Sequence, residues 1–233
     1  MTSLHTLLRS RLDAVEERLL AACHRAGRDR HAVTLVAVTK TISVETATVL
    51  PELGLVDLGE SRPQELWRKA AALPASVRWH LIGHLQRNKI ERTLPLVQRI
   101  HSVDSLRLLT SLEQEAARRQ ISLPVLLEVN ASREANKHGF RPEEVLTLAP
   151  ALAALQHLRV DGLMTLAAYE EDPERCRPTF VALRTLRDQL RGQLGPVHPL
   201  DQLSMGMSND FEIAVEEGAT LVRLGTVLFE GLS

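Results

Sequence analysis

The stretch Leu35-Val36-Ala37-Val38-Thr39-Lys40 places an amine at the end of an uncharged, partly β-branched run. Such a run reads as a strand buried on both faces, so Lys40 would stand at its C-terminal mouth. The chain uses arginine for most of its cations and has only four lysines, Lys40, Lys69, Lys89 and Lys137. Arginine cannot form a Schiff base and lysine can. Two roles suit Lys40. It is either an ammonium that snorkels to water, or a partly desolvated one whose pKa falls so that the free amine attacks an aldehyde.

Two later turns offer places for a phosphate. Ser204-Met205-Gly206-Met207-Ser208 sets two hydroxyls and accessible backbone before a helix start, where orphan N–H groups and the dipole favour an anion. Gly225-Thr226 adds a hydroxyl and close backbone approach at a second turn. The plainer roles are capping by Ser208 and an ordinary glycine turn. Arg223 lies two residues before Gly225 and so shares its side of a strand. A buried arginine needs a partner: a carboxylate inside the fold such as Glu60 or Glu128, or the ring nitrogen of a bound cofactor, which a permanent cation would keep unprotonated.

These residues need a scaffold that brings distant segments to one rim. Eight short apolar strands alternate with helical segments: strands at 35–39, 54–60, 77–83, 99–103, 124–129, 157–164, within 199–205 and at 221–225. A preceding helix carries Leu4, Leu8, Leu12, Val15, Leu19 and Ala22 at helical spacing and ends near Gly27. Between the strands we expect helices from Ser43 to Leu50, from Pro63, from Gln86 to Leu94, after Asp104 or Ser105, from Pro142 to Leu155 with a break near Pro150, from Pro173 to Leu194, and over Phe211 to Glu217 with Asn209 as cap. Strand count and alternation favour a (β/α)₈ barrel, whose site lies at the C-terminal strand ends with phosphate held after strands seven and eight. An open doubly wound sheet would carry a glycine-rich turn after its first strand, and Thr39-Lys40-Thr41-Ile42-Ser43 has no glycine.

At 233 residues, 44% hydrophobic and one net negative charge, the chain can bury a sizeable core and has no long-range attraction for nucleic acid or anionic membranes. No apolar run is long enough to span a bilayer, and the N-terminus lacks a signal-peptide pattern. Cys23 and Cys176 have neither a disulfide pattern nor a metal-ligand spacing. We expect a cytoplasmic protein with free thiols.

Four blocks carry a family resemblance: Val36-Ala37-Val38-Thr39-Lys40; Gly59-Glu60 with Gln64-Glu65; Trp79-His80-Leu81-Ile82-Gly83-His84-Leu85-Gln86-Arg87-Asn88-Lys89; and Leu203 to Asp210 through Arg223-Leu224-Gly225-Thr226. They closely resemble the pyridoxal phosphate homeostasis protein family, also called the proline synthase co-transcribed proteins, across essentially the whole chain. The resemblance implies that residues 1–233 form a single barrel domain similar to the N-terminal domain of alanine racemase, with an extra N-terminal helix. It implies pyridoxal 5′-phosphate (PLP) as cofactor, with Lys40 as the Schiff-base lysine. By the same carry-over Ser204, Ser208, Gly225 and Thr226 surround the phosphate, and Arg223 faces the pyridine nitrogen. Members are regarded as keeping free PLP in balance without an established turnover. The expected partners are PLP and, as acceptors, apo PLP-dependent enzymes; we expect a monomer. The chain departs from the family's Gly-Glu-Asn-Tyr at Gly59-Glu60-Ser61-Arg62, and Ile42 stands where a second lysine is common.

Two other functions share the lysine. A PLP-dependent racemase needs a second acid/base opposite it, and the candidates are His80, His84 and Tyr169, the single tyrosine, which we expect on the surface. A Schiff-base aldolase acting on a sugar phosphate would need no cofactor. The basic run Arg87, Lys89 and Arg92 suits a solvated helix face or a partner.

Overall fold

A computed structural model describes residues 3–134 and 137–232. Its strands are β1 (Thr34–Val38), β2 (Asp57–Glu60), β3 (Arg78–Leu81), β4 (Val97–Val103), β5 (Leu123–Glu128), β6 (Leu158–Met164), β7 (Gln202–Ser204) and β8 (Leu221–Leu224). All pair in parallel and in chain order, and β8 returns to β1 with Val36 opposite Arg223, closing the barrel. The helices are α1 (Ser3–Arg25), α2 (Val44–Thr48), α3 (Pro63–Ala70), α4 (Ile90–Thr93), α5 (Leu106–Arg119), α6 (Pro142–Thr147), α7 (Ala149–Ala153), α8 (Arg177–Leu194), α9 (Phe211–Glu216) and α10 (Thr226–Phe229). This is the expected (β/α)₈ barrel with an extra N-terminal helix.

The strands read as continuous apolar runs because both of their faces are covered. Outward residues such as Leu35, Leu58, Leu81, Leu127 and Leu224 join one core with Leu109 and Leu112 of α5 and Phe180 and Leu183 of α8. Each such side chain contributes about 2 kcal/mol by leaving water. Inward residues Val36, Leu126, Met164 and Leu221 form a small separate cluster. Much of the remaining interior is polar, with Asp57, His80, His101, Ser204 and Arg223 all buried.

Helix α1 buries Leu8, Leu12, Val15, Leu19 and Ala22, the stripe its spacing predicts. It lies against the closing end of the barrel, where Arg18 Nε is 2.6 Å from Glu212 Oε1 of α9 and Arg11 donates to the Leu228 carbonyl of α10.

Local chemistry sets most boundaries. Ser43 accepts from Thr46 N before α2, and Ser105 from Leu108 N before α5. The second strand begins at Asp57 rather than at Gly54, whose φ of 84° ends the preceding turn. The segment 86–96 breaks into a short α4 flanked by 3₁₀ turns at Arg87–Lys89 and Leu94–Leu96, since Pro95 cannot extend the helix. The break expected near Pro150 in 142–155 falls at Leu148, two residues ahead of the proline. Helix α8 starts at Arg177 after a 3₁₀ turn at Pro173–Cys176. Asn209 does not cap α9: it donates to the Glu170 carbonyl, while Asp210 precedes the helix and accepts from Met207 N at 2.6 Å. Both cysteines are buried and free.

Candidate functional site

A cavity of about 670 Å³ opens at the C-terminal ends of the strands, lined by Lys40, Ser61, Ile82, Gly83, Leu166, Tyr169, Met207, Ser208, Asn209, Arg223, Gly225 and Thr226 among others. Lys40 enters from the turn after β1, Arg223 from β8, and Ser208 and Thr226 from the turns that follow β7 and β8. The barrel's parallel order therefore gathers segments nearly two hundred residues apart in sequence, as its geometry requires.

The lysines are sharply differentiated. Lys69 is buried at 1% exposure, with Nζ 2.6 Å from both Glu60 Oε1 and the Thr39 carbonyl. Lys89 lies over the Trp67 ring, and Lys137 pairs with Glu134 and donates to the Leu166 carbonyl. Lys40 alone among the four has no hydrogen bond, ion pair or ring contact with the described residues. Its side chain is exposed at the cavity rim, so the partial desolvation considered for it is not found in this structure. The buried lysine is Lys69. It pins the carbonyl directly before Lys40 and so fixes the backbone from which Lys40 projects.

Ser208 Oγ accepts from the backbone N–H of Gly225 at 3.3 Å and of Val227 at 3.2 Å. The two turns are thereby tied into one polar wall, with the hydroxyl standing where an anionic oxygen could meet the same donors. Ser204 is placed differently from its expected position at the phosphate. It is fully buried inside the barrel, absent from the cavity wall, and its Oγ is 2.9 Å from His101 Nδ1 and 2.5 Å from Arg223 Nη1. The reason is strand direction: Ser204 is the last residue of β7 and points inward beneath Arg223, whereas Ser208 lies in the turn above.

Arg223 pairs with neither Glu60 nor Glu128. Its Nη1 donates to Ser204 Oγ and its Nη2 to the Thr165 carbonyl at 2.8 Å. Burial pulls the guanidinium down to about 10, which leaves it charged at neutral pH. Glu60 is instead the partner of Lys69, and Glu128 is raised by its own burial and by Asp104 nearby.

His80 is buried inside the barrel, and His84 at the rim is 2.8 Å from Asp104 Oδ2. Neither imidazole lines the cavity. Tyr169 does, though it is 79% exposed. The basic run has a packing role, since Arg92 lies 4.3 Å above the Trp67 ring.

Asp57, His101 and Thr165 were not singled out from sequence. The available signal was a polar residue at an inward position of an otherwise apolar strand, as at His101 in Arg99-Ile100-His101-Ser102-Val103. Burial raises the Asp57 carboxyl, but hydrogen bonds from Arg78 and His80 outweigh it and hold the group at about 2. A carboxyl so depressed stabilises the fold above its unfolded pKa near 4, and that contribution is lost as pH falls toward 2. Urea unfolding followed against pH should show Asp57→Asn less stable than the parent at pH 6, with the gap closing between about pH 4 and pH 2.

These features define a class. Residues 10–232 match the family model described as alanine racemase, N-terminal domain. The pyridoxal phosphate homeostasis protein of Aquifex aeolicus is 42% identical over 220 residues, covering 94% of this chain and 96% of that protein. The protein of that name in Pseudomonas aeruginosa is 40% identical, covering 92% and 91%. The solved structure of PipY from Synechococcus elongatus with PLP bound superimposes with a TM-score of 0.80 at 33% identity, over 92% of this chain and 99% of that one. The chain belongs to the pyridoxal phosphate homeostasis protein family. No helix among the described residues is long and apolar enough to cross a membrane.

Proposed function

We propose that this chain binds PLP covalently through Lys40 Nζ and serves to keep the intracellular PLP pool in balance, without efficient catalytic turnover. The observation that carries this reading is the amine of Lys40, without a partner among the described residues, sharing one cavity with Ser208, Gly225, Thr226 and Arg223. The residues fit the group: an accessible amine for the aldehyde, a wall of hydroxyl and backbone donors for the phosphate, and a buried cation for the ring nitrogen. The names of the Aquifex and Pseudomonas relatives and the PLP-bound PipY structure support it.

When bound, PLP supplies an aldehyde and an electron-withdrawing ring. The protein's part is to hold it. Lys40 would provide the nucleophile; Ser208, Gly225 and Thr226 would hold the phosphate; Arg223, charged at neutral pH, would meet the pyridine nitrogen and keep it from taking a proton. That arrangement retains the cofactor while weakening its capacity as an electron sink. Ser204 acts behind Arg223 rather than on the phosphate. A racemase would also need a positioned acid on the face opposite Lys40, and Tyr169 is too exposed to be held in one place. We take the protein to be a cytoplasmic monomer with one PLP-binding domain over residues 1–233, which passes PLP to apo PLP-dependent enzymes.

The test is borohydride reduction of the PLP-treated protein followed by peptide mass spectrometry. A pyridoxyl adduct on the Lys40 peptide is expected, together with a visible band that Lys40→Ala lacks; an adduct elsewhere, or none, refutes the reading. Racemisation of any amino acid at a useful rate, dependent on Lys40, would refute the absence of efficient turnover. Ser208→Ala should weaken PLP binding about tenfold, the cost of one hydrogen bond to a charged group, with the visible band unchanged. Equilibrium titration by absorbance measures it.

A further inference from the structure

We propose that Asp57, His80, His101 and Ser204 form a one-directional hydrogen-bond relay through the barrel interior, which fixes both imidazoles in the Nε2–H form and positions Arg223 against the cavity. The contacts are continuous. Asp57 Oδ1 is 3.0 Å from His80 Nε2, His80 Nδ1 is 2.9 Å from His101 Nε2, His101 Nδ1 is 2.9 Å from Ser204 Oγ, and Ser204 Oγ is 2.5 Å from Arg223 Nη1. The relay starts at the first residue of β2, where Arg78 also binds Asp57, and ends near the last residue of β8. It therefore links the N-terminal face of the barrel to the wall of the cavity.

The two ends dictate every proton between them. A guanidinium can only donate, so Ser204 Oγ accepts from Arg223 and its own proton is free for His101 Nδ1. An ionised carboxylate can only accept, so His80 Nε2 carries a proton. If both rings are neutral, His80 Nδ1 is then an acceptor, His101 Nε2 its donor, and His101 Nδ1 the acceptor for Ser204. All the bonds run the same way, from Arg223 to Asp57, with no donor facing a donor. Neutral rings are what the surroundings favour. Burial lowers both imidazoles, and Asp57 raises His80 against the neighbouring cations Arg78 and Arg99; His101 is lowered further by His80, Arg223 and Arg99.

The relay accounts for an otherwise costly feature. Arg223 is 3% exposed, and among the described residues its hydrogen bonds go to Ser204 Oγ and the Thr165 carbonyl and to no carboxylate. Asp210 and Glu128 favour the charged guanidinium through space, and because aligned hydrogen bonds polarise one another the relay ending on the Asp57 carboxylate adds to them. Ser204 and the Thr165 carbonyl hold two of its nitrogens, and the side chain they hold lines the cavity. Ser204 and His101 are thus positioning residues for Arg223. Their effect on a bound cofactor rests on the function proposed above, whereas the proton arrangement does not.

The experiment has two arms. In cofactor-free protein with ¹⁵N-labelled histidine, long-range ¹H–¹⁵N correlation near pH 7 should find His80 and His101 neutral and protonated on Nε2. An imidazolium, or a proton on Nδ1 of either ring, overturns the relay. In Ser204→Ala the His101 Nδ1 signal should move toward that of a pyridine-type nitrogen without a donor, and Ser204→Thr should restore it. With PLP added, Ser204→Ala should shift the visible band and raise the Kd several-fold, again with rescue by Ser204→Thr; an unchanged band and affinity overturn the positioning role. Should PLP fail to bind the parent protein, the function falls and the first arm still decides the relay.

Discussion

Replacing Lys69 with methionine should lower the unfolding free energy by roughly 3–5 kcal/mol, the usual cost of removing one partner from a buried ion pair. Lys69 and Glu60 are 1% and 0% exposed and sit between β2 and α3, out of reach of solvent. The ammonium is shared between Glu60 Oε1 and the Thr39 carbonyl, and the Thr39 hydroxyl adds a 2.7 Å bond to the same carboxylate oxygen. Glu60 Oε2 is buried with no partner among the described residues. With Lys69 gone, the carboxylate would keep only the threonine hydroxyl and must either remain charged in an apolar layer or take up a proton. The double variant Lys69→Met with Glu60→Leu should regain most of the loss, because replacing both charges by apolar groups of similar size is often near neutral. Urea unfolding of the parent, both single variants and the double variant gives the coupling directly. A loss below about 1 kcal/mol in Lys69→Met would mean that the pair is not closed off from water as described. The double variant should also loosen the turn carrying Lys40, since the Thr39 carbonyl loses its ammonium donor.

The alternation of apolar runs and helical stripes made the barrel legible, and with it the rim on which Lys40, Ser208, Arg223, Gly225 and Thr226 meet. Strand order follows from chain order in this fold, so positions far apart in sequence could be placed on one face without any contact being known. What sequence could not give is register across strands. Whether His80 meets Asp57 or His101 meets Ser204 depends on barrel stagger, which shows no local pattern. Ser204 and Ser208 illustrate the limit: both hydroxyls belong to one turn signal, but strand direction sends one into the interior and leaves the other at the cavity. Lys40 shows the same limit. Its exposure rules out strong desolvation, and its distinction from the other lysines lies in what they touch, which depends on tertiary contacts such as that of Lys69 with Glu60.

A second large effect is expected at Gly162, in the middle of β6. A Cβ there would lie 1.8 Å from the Gln202 carbonyl oxygen and 2.6 Å from its carbon. Both are backbone atoms of the paired strand β7, opposite Gly162 in the register. No rotamer change relieves such a contact, so Gly162→Ala must push β7 away from β6. Strand β7 has three residues and little pairing to spare; its register with β8 is a single pair, Ser204 with Leu221. A destabilisation of about 4 kcal/mol or more is expected, at the upper end for one substitution, and much of the protein should be insoluble when expressed. Because Ser204 ends β7, any Gly162→Ala protein that does fold should show a displaced Arg223 and weaker PLP retention than Ser204→Ala. Thermal unfolding and the soluble fraction measure the first effect, and PLP titration the second. A variant that melts within a few degrees of the parent would show that β6 and β7 have room between them, and the close approach at this seam would no longer explain why position 162 has no side chain.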